Sequence, residues 1–89
     1  MTTEERNEYK MACERVALKF GFQFIGHGCM CNGSPLLYNA YHANRTQQIA
    51  VWDARGYWYF YENRTKIGFG TDPAYLEQQI QQLWDISNN

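Results

Sequence analysis

Residues 57–61 read Tyr-Trp-Tyr-Phe-Tyr. Wound into a helix, five consecutive rings would surround the axis. In an extended chain they sort at once, because successive side chains point to opposite faces. Tyr57, Tyr59 and Tyr61 then share one face, and Trp58 and Phe60 share the other. The first set carries hydroxyls and tolerates water, whereas the second does not. A strand of this kind belongs in an antiparallel sheet with one face buried and the other amphipathic. Gly56 before it and Asn63-Arg64 after it are turn signals, so the strand sits between two hairpins.

The flanking turns carry the two faces outward. A loop at Asn44-Arg45 sets Tyr41 opposite Gln48 and Tyr38 opposite Val51. A loop over Asp53–Gly56 sets Trp52 opposite Tyr57 and Val51 opposite Trp58. A turn at Asn63-Arg64 sets Tyr61 opposite Lys66 and Phe60 opposite Ile67. The three registers agree on which residues share a face. The inner face is Tyr38, Ala40, Ile49, Val51, Trp58, Phe60, Ile67 and Phe69. The outer face is Leu37, Tyr41, Gln48, Ala50, Trp52, Tyr57, Tyr59, Tyr61 and Lys66. Tyr59 is expected between Ala50 and Gly68, and Tyr57 between Trp52 and Gly70.

Helices bracket the strands. Thr2 with Glu5 forms a capping-box pattern. Tyr9, Ala12 or Cys13, Val16 and Phe20 make one apolar stripe, and Gly21 closes the segment, which predicts a helix from about Thr3 to Phe20. Asp72-Pro73 opens a second helix, with Leu76, Ile80, Leu83 and Trp84 as its stripe and Gln78, Gln79, Gln81 and Gln82 as its polar side. Phe22-Gln23-Phe24-Ile25 reads as a first strand. Asn32-Gly33-Ser34-Pro35 reads as a turn leading into the next. The expected fold is one α+β domain over residues 1–89. It is an antiparallel meander of four to five strands, with both helices packed on the Trp58/Phe60 face. A chain of 89 residues builds one modest core, and an aromatic content of 17% helps it bury enough apolar area.

Charge narrows the function classes. The net charge is -1, which gives the whole chain no claim on nucleic acid or acidic membrane. Within it, residues 21–70 carry Arg45, Arg55, Arg64 and Lys66 against Asp53 and Glu62, and residues 71–89 carry Asp72, Glu77 and Asp85 with no base. The beginning of the chain is polar and no apolar run reaches membrane length, so a cytoplasmic protein with reduced thiols is expected. His27, Cys29 and Cys31 are spaced by two, and His42 and Cys13 could join them. That spacing lacks the cysteine knuckle of zinc sites, and small buried thiols account for it as well. A cysteine–histidine nucleophile pair has no orienting acid in the pattern, and no phosphate loop or paired carboxylate occurs. The expectation is a non-enzymatic protein without metal or cofactor.

The tyrosine face is the remaining candidate. Large rings with a polar tip are typical of binding surfaces. Trp52, Tyr57, Tyr59, Tyr61, Lys66 and Arg64 are the expected contact residues for a protein partner or a second copy of the chain. Nucleic-acid binding by base stacking on the same face is the alternative. The run Cys29-x-Cys31-Asn32-Gly33-Ser34-Pro35, with tyrosine-rich hairpins and a closing helix, resembles small uncharacterised proteins of phage and mobile-element gene sets. The stretch Gly56-Tyr57-Trp58-Tyr59 through Lys66-Ile67-Gly68-Phe69-Gly70-Thr71-Asp72, with its helix, is similar to the sheet-and-helix layout of AP2-like and integrase arm-binding domains. That second resemblance implies a three-stranded sheet entering a DNA groove with a helix bracing its back.

Overall fold

A computed structural model describes residues 2–28, 34–42 and 45–87, with the side chains of His42 and residues 85–87 left aside. The order is α1 (Thr3–Lys19), β1 (Gln23–His27), β2 (Leu36–His42), β3 (Arg45–Trp52), β4 (Tyr57–Glu62), β5 (Thr65–Gly70) and α2 (Pro73–Ser87). The strands form one antiparallel meander, β1-β2-β3-β4-β5. This is the α+β architecture that the alternation and the helix stripes predict.

Local chemistry sets the helix ends. The Thr2 hydroxyl accepts from the Glu5 amide at 3.1 Å, and the Glu5 carboxylate accepts from the Thr2 amide at 3.1 Å. This reciprocal box satisfies two amides that a helix start otherwise leaves unpaired. At the other end Gly21 takes φ 83°, a left-handed conformation that glycine adopts without a Cβ penalty. Its amide donates to Leu18 O, and the Phe22 amide donates to Ala17 O. The turn is a Schellman motif, and it drives Phe22 into the core beside Ala17. Asp72 caps α2 by accepting from the Ala74 amide at 2.9 Å, with Pro73 at the first helical position.

Both helices lie on the inner face. The core joins Cys13 and Ala17 of α1, Leu76 and Ile80 of α2, Phe22, and the sheet residues Tyr38, Ala40, Ile49, Val51, Trp58 and Phe60. Burying this set from water is the main stabilising term, at about 25 cal/mol for each Å² removed.

Two registers differ from expectation. Tyr38 pairs with Ile49 and Tyr41 with Thr46, so each β2 residue pairs two positions earlier along β3 than a turn at Asn44-Arg45 implies. Arg45 is therefore a strand residue opposite His42 rather than a turn residue. Its inward side chain is held there by a salt bridge to Glu62 at 2.5 Å. A slip of two preserves parity, so the face assignment of both strands survives. The second difference changes faces. Between Phe60 and Tyr61 the β4–β5 register shifts by a bulge at Ile67: Tyr61 pairs with Lys66, but Phe60 pairs with Gly68, Tyr59 with Phe69 and Trp58 with Gly70. Ile67 and Phe69 leave the expected inner face, and Gly68 and Gly70 replace them.

The reason is the Trp58 indole. A Cβ on Gly70 would stand 2.7 Å from Trp58 Cζ2, and one on Gly68 would stand 3.6 Å from Trp58 Cζ3. The ring occupies the space where side chains of β5 would otherwise be, and its Nε1–H donates to Asp72 O at 3.1 Å. A regular register would place Phe69 there instead, which the close-packed interior cannot absorb.

The far end of the core closes with a polar network that the strand pattern does not announce. Gln47 is fully buried; its carbonyl accepts from Trp84 Nε1 at 2.6 Å and its amide donates to Glu62 at 3.3 Å. Burial pushes the Glu62 carboxyl up, but the hydrogen bonds from Arg45 and Gln47 and the Arg45 charge outweigh it, and the net shift is downward. A group lowered on folding stabilises the fold above the ordinary glutamate range, and that contribution is lost as pH falls through its folded value. Glu62→Gln should therefore flatten the loss of stability between about pH 5 and pH 3 in urea titrations against the parent chain. Equal slopes would contradict this. Gly70→Ala should lower stability by about 1–3 kcal/mol through overpacking against Trp58, read as a drop in the urea midpoint. An unchanged midpoint would contradict the seating of the indole.

Candidate functional site

The outer face begins with the same alternation. Tyr57, Tyr59 and Tyr61 project from β4, Ala50 and Trp52 from β3 beside them, and Phe69 and Lys66 from β5. Tyr59 is the hub. Its ring centroid lies 5.9 Å from Trp52, 5.4 Å from Tyr57, 6.2 Å from Tyr61 and 5.1 Å from Phe69. Trp52 and Tyr57 meet edge to face at 5.3 Å, and Tyr57 and Phe69 lie 5.6 Å apart. Ala50, opposite Tyr59, is only 5% exposed beneath the rings. Edge-to-face and tilted pairs of this kind are worth about 0.5–1.5 kcal/mol each beyond area burial, so the rings brace one another. Lys66 Nζ sits 5.0 Å over the Tyr59 ring.

The bulge corrects the expected neighbours. Tyr59 is flanked by Ala50 and Phe69, not by Ala50 and Gly68, and Gly70 lies on the opposite face from Tyr57. The face thus gains a ring and loses two gaps. Trp52, Tyr57, Tyr59 and Tyr61 are each half-buried, while Phe69 remains 50% exposed. The helices pack on the other side, and among the described residues no other element covers this one.

Arg64 stands apart from the ring cluster. Asn63 and Arg64 have φ 48° and 71°, the left-handed pair of a two-residue hairpin turn. The turn is tied to β3: the Asn63 amide donates to Thr46 O at 2.8 Å, and Asn63 Oδ1 accepts from the Thr46 amide at 3.2 Å. Arg64 edges a shallow pocket of about 340 Å³ lined also by Asn39, Thr46, Gln48 and Tyr61. Gln48 Nε2 donates to Asn39 Oδ1 at 3.0 Å across its floor. Tyr61 belongs to both the pocket and the aromatic cluster. Five of the six expected contact residues, Trp52, Tyr57, Tyr59, Tyr61 and Lys66, therefore form one surface, and Arg64 joins it through Tyr61. Phe69, Asn39 and Thr46 complete it without having been singled out by the sequence.

The other candidate chemistry does not assemble among the described residues. Cys13 is fully buried, and burial pushes its thiol up to about 12. Burial likewise raises Tyr38 to about 12 and Tyr9 higher still. Among the described residues the buried Tyr9 hydroxyl has only the Cys13 thiol, a weak hydrogen-bonding group, as a polar neighbour that acts on it directly. These groups stay protonated at neutral pH. His27 is exposed at the end of β1, with its ring 6.1 Å from Phe24. Cys29 and Cys31, with Asn32 and Gly33 of the Asn32–Pro35 turn, lie outside the described residues, as does the His42 side chain. Among the described residues no three metal-ligating side chains come together, and no helix is long and apolar enough to cross a membrane.

Comparison with protein-family profiles, with curated proteins and with solved structures finds no match in any of the three. The two resemblances rest on their residues alone.

A non-glycine residue in the left-handed region carries a strain of about 1–3 kcal/mol. Arg64→Gly should relieve part of it and raise stability by about 0.5–1 kcal/mol, read as a higher urea midpoint. A lower midpoint would mean that the Arg64 side chain supports the fold.

Proposed function

We propose that this protein is a non-catalytic interaction module that docks a protein partner, or a second copy of itself, on the outer sheet face. The observation that supports the reading is the five-ring cluster around Tyr59, mutually packed and open on the side away from both helices. Preorganised aromatic side chains lose little conformational freedom on binding, which is why they dominate interface hot spots. Phe69 adds an exposed apolar surface beside them.

Electrostatics favours a protein over a nucleic acid. Binding along a phosphate backbone draws on several cations near the stacking rings. Of the four bases in the middle of the chain, Arg45 is paired with Glu62 on the inner face and Arg55 lies in the turn at the opposite end from Arg64. Lys66 rests over Tyr59, on the ring that a base would use. Arg64 alone is one phosphate contact.

The test is a peptide-display selection on the immobilised protein, with self-association followed by sedimentation equilibrium. Binders, or the self-associated form, should lose at least about tenfold in affinity when Tyr59 is replaced by alanine, the effect of a hot-spot truncation. Circular dichroism would establish that the variant is folded. Affinity unchanged by Tyr59→Ala would contradict the proposal. Tight oligonucleotide binding that falls steeply with salt would favour the nucleic-acid reading instead.

A further inference from the structure

We propose that the pocket at the Asn63-Arg64 turn is a carboxylate subsite that receives an acidic side chain of an extended segment of the partner. This rests on the reading of the outer face as a docking surface and says what one part of it recognises.

The first observation is the conformation of Arg64. At φ 71° in a two-residue hairpin, glycine is the residue that fits without strain, and Asn-Gly is the favoured pair. An arginine here costs stability and nothing inside the fold repays it. Its guanidinium makes no ion pair and no hydrogen bond with the described residues. The turn is nevertheless held firmly, by the two hydrogen bonds between Asn63 and Thr46 and by the Glu62–Thr65 pairing below it. Strain maintained by a rigid surround is a feature of sites that orient a functional group.

The second observation is the lining. Around Arg64 stand the hydroxyls of Thr46 and Tyr61 and the side-chain amides of Asn39 and Gln48. The Gln48–Asn39 hydrogen bond uses one amide N–H and one carbonyl, and it leaves the Asn39 amide nitrogen free to donate. Among the described residues no acid lines the pocket; Glu62, the nearest in sequence, points to the inner face and is engaged by Arg45 and Gln47. A single guanidinium with neutral donors around it matches the charge and geometry of one carboxylate, which accepts a planar fork of N–H donors.

The third observation is position. Tyr61 and Tyr59 are alternate residues of β4, so the pocket and the ring cluster are spaced like alternate side chains of a second extended chain, roughly 6–7 Å apart. A segment laid along β4 would place an apolar side chain on Tyr59 and Phe69, and an acidic side chain two residues away on Arg64. The partner chemistry is therefore an acid and an apolar residue separated by one position.

The experiment uses N-acetyl-glutamic acid α-amide, its glutamine counterpart and inorganic phosphate as probes, followed by backbone amide NMR shifts. The glutamate probe at millimolar concentration should shift the amides of Thr46, Gln48, Tyr61 and Arg64 saturably, and the glutamine probe should not. Arg64→Gly, which suits the turn, should weaken the glutamate effect several-fold. Equal shifts with both probes, no shift with either, or full binding to the Arg64→Gly variant would overturn the proposal. Tighter binding of phosphate than of glutamate would overturn the carboxylate assignment. Tyr59→Ala should leave probe binding intact, because Tyr61 lines the pocket and Tyr59 does not. Probe binding without any effect of Tyr59→Ala on macromolecular association would sink the docking reading and leave the pocket standing.

Discussion

The Trp58 indole decides the shape of both sheet faces. It is the largest fully buried side chain, lying between the sheet and α2 with its N–H bonded to Asp72 O. An indole seated flat against a neighbouring strand needs that strand to present nothing but backbone. Gly68 and Gly70 provide this, but in a regular register they would face outward. The bulge at Ile67 turns them inward, and by the same step it turns Phe69 outward. Core packing and the outer aromatic cluster are two consequences of one inserted residue.

This link explains why the outer face is more than leftover strand surface. Without the bulge, Tyr59 would stand between alanine and glycine, loosely held and widely exposed. With it, Phe69 supports Tyr59 at 5.1 Å and Tyr57 at 5.6 Å, and the rings brace one another. Cation–π contact from Lys66 adds about 0.5–1 kcal/mol at an exposed site. A surface organised before any partner arrives retains more of its contact energy as affinity. The same surface ends at Arg64, where the turn retains strain instead of the glycine that would relieve it.

Much of this was legible because period-two alternation is a local property. Tyr57–Tyr61 sorts its faces wherever the strand is placed, and Asp53–Gly56 closes its hairpin between residues that pair as expected. The β2–β3 register missed by two, an error that parity forgives. The bulge was hidden because a bulge changes parity without changing composition. Its trace in the sequence is Gly68-Phe69-Gly70, two alternate glycines opposite a strand carrying Trp58. Gln47 was unreadable for a different reason: its partner Trp84 lies on a distant helix, and tandem glutamines on a strand look like solvent-facing residues. Arg64 was named as a basic turn residue, but an Asn-Arg pair does not announce its handedness as Asn-Gly would. The pocket it edges draws on β2 and β3, which only the folded register brings together.

The most direct measurement is the set of ring contacts around residue 69 by nuclear Overhauser effects in solution. The bulged register should give contacts from the Phe69 ring to Tyr57 and Tyr59, together with contacts from the Trp58 indole to the α-protons of Gly68 and Gly70. Contacts between the Phe69 and Trp58 rings would restore the regular register and contradict the account, for the inner seat and the outer platform alike.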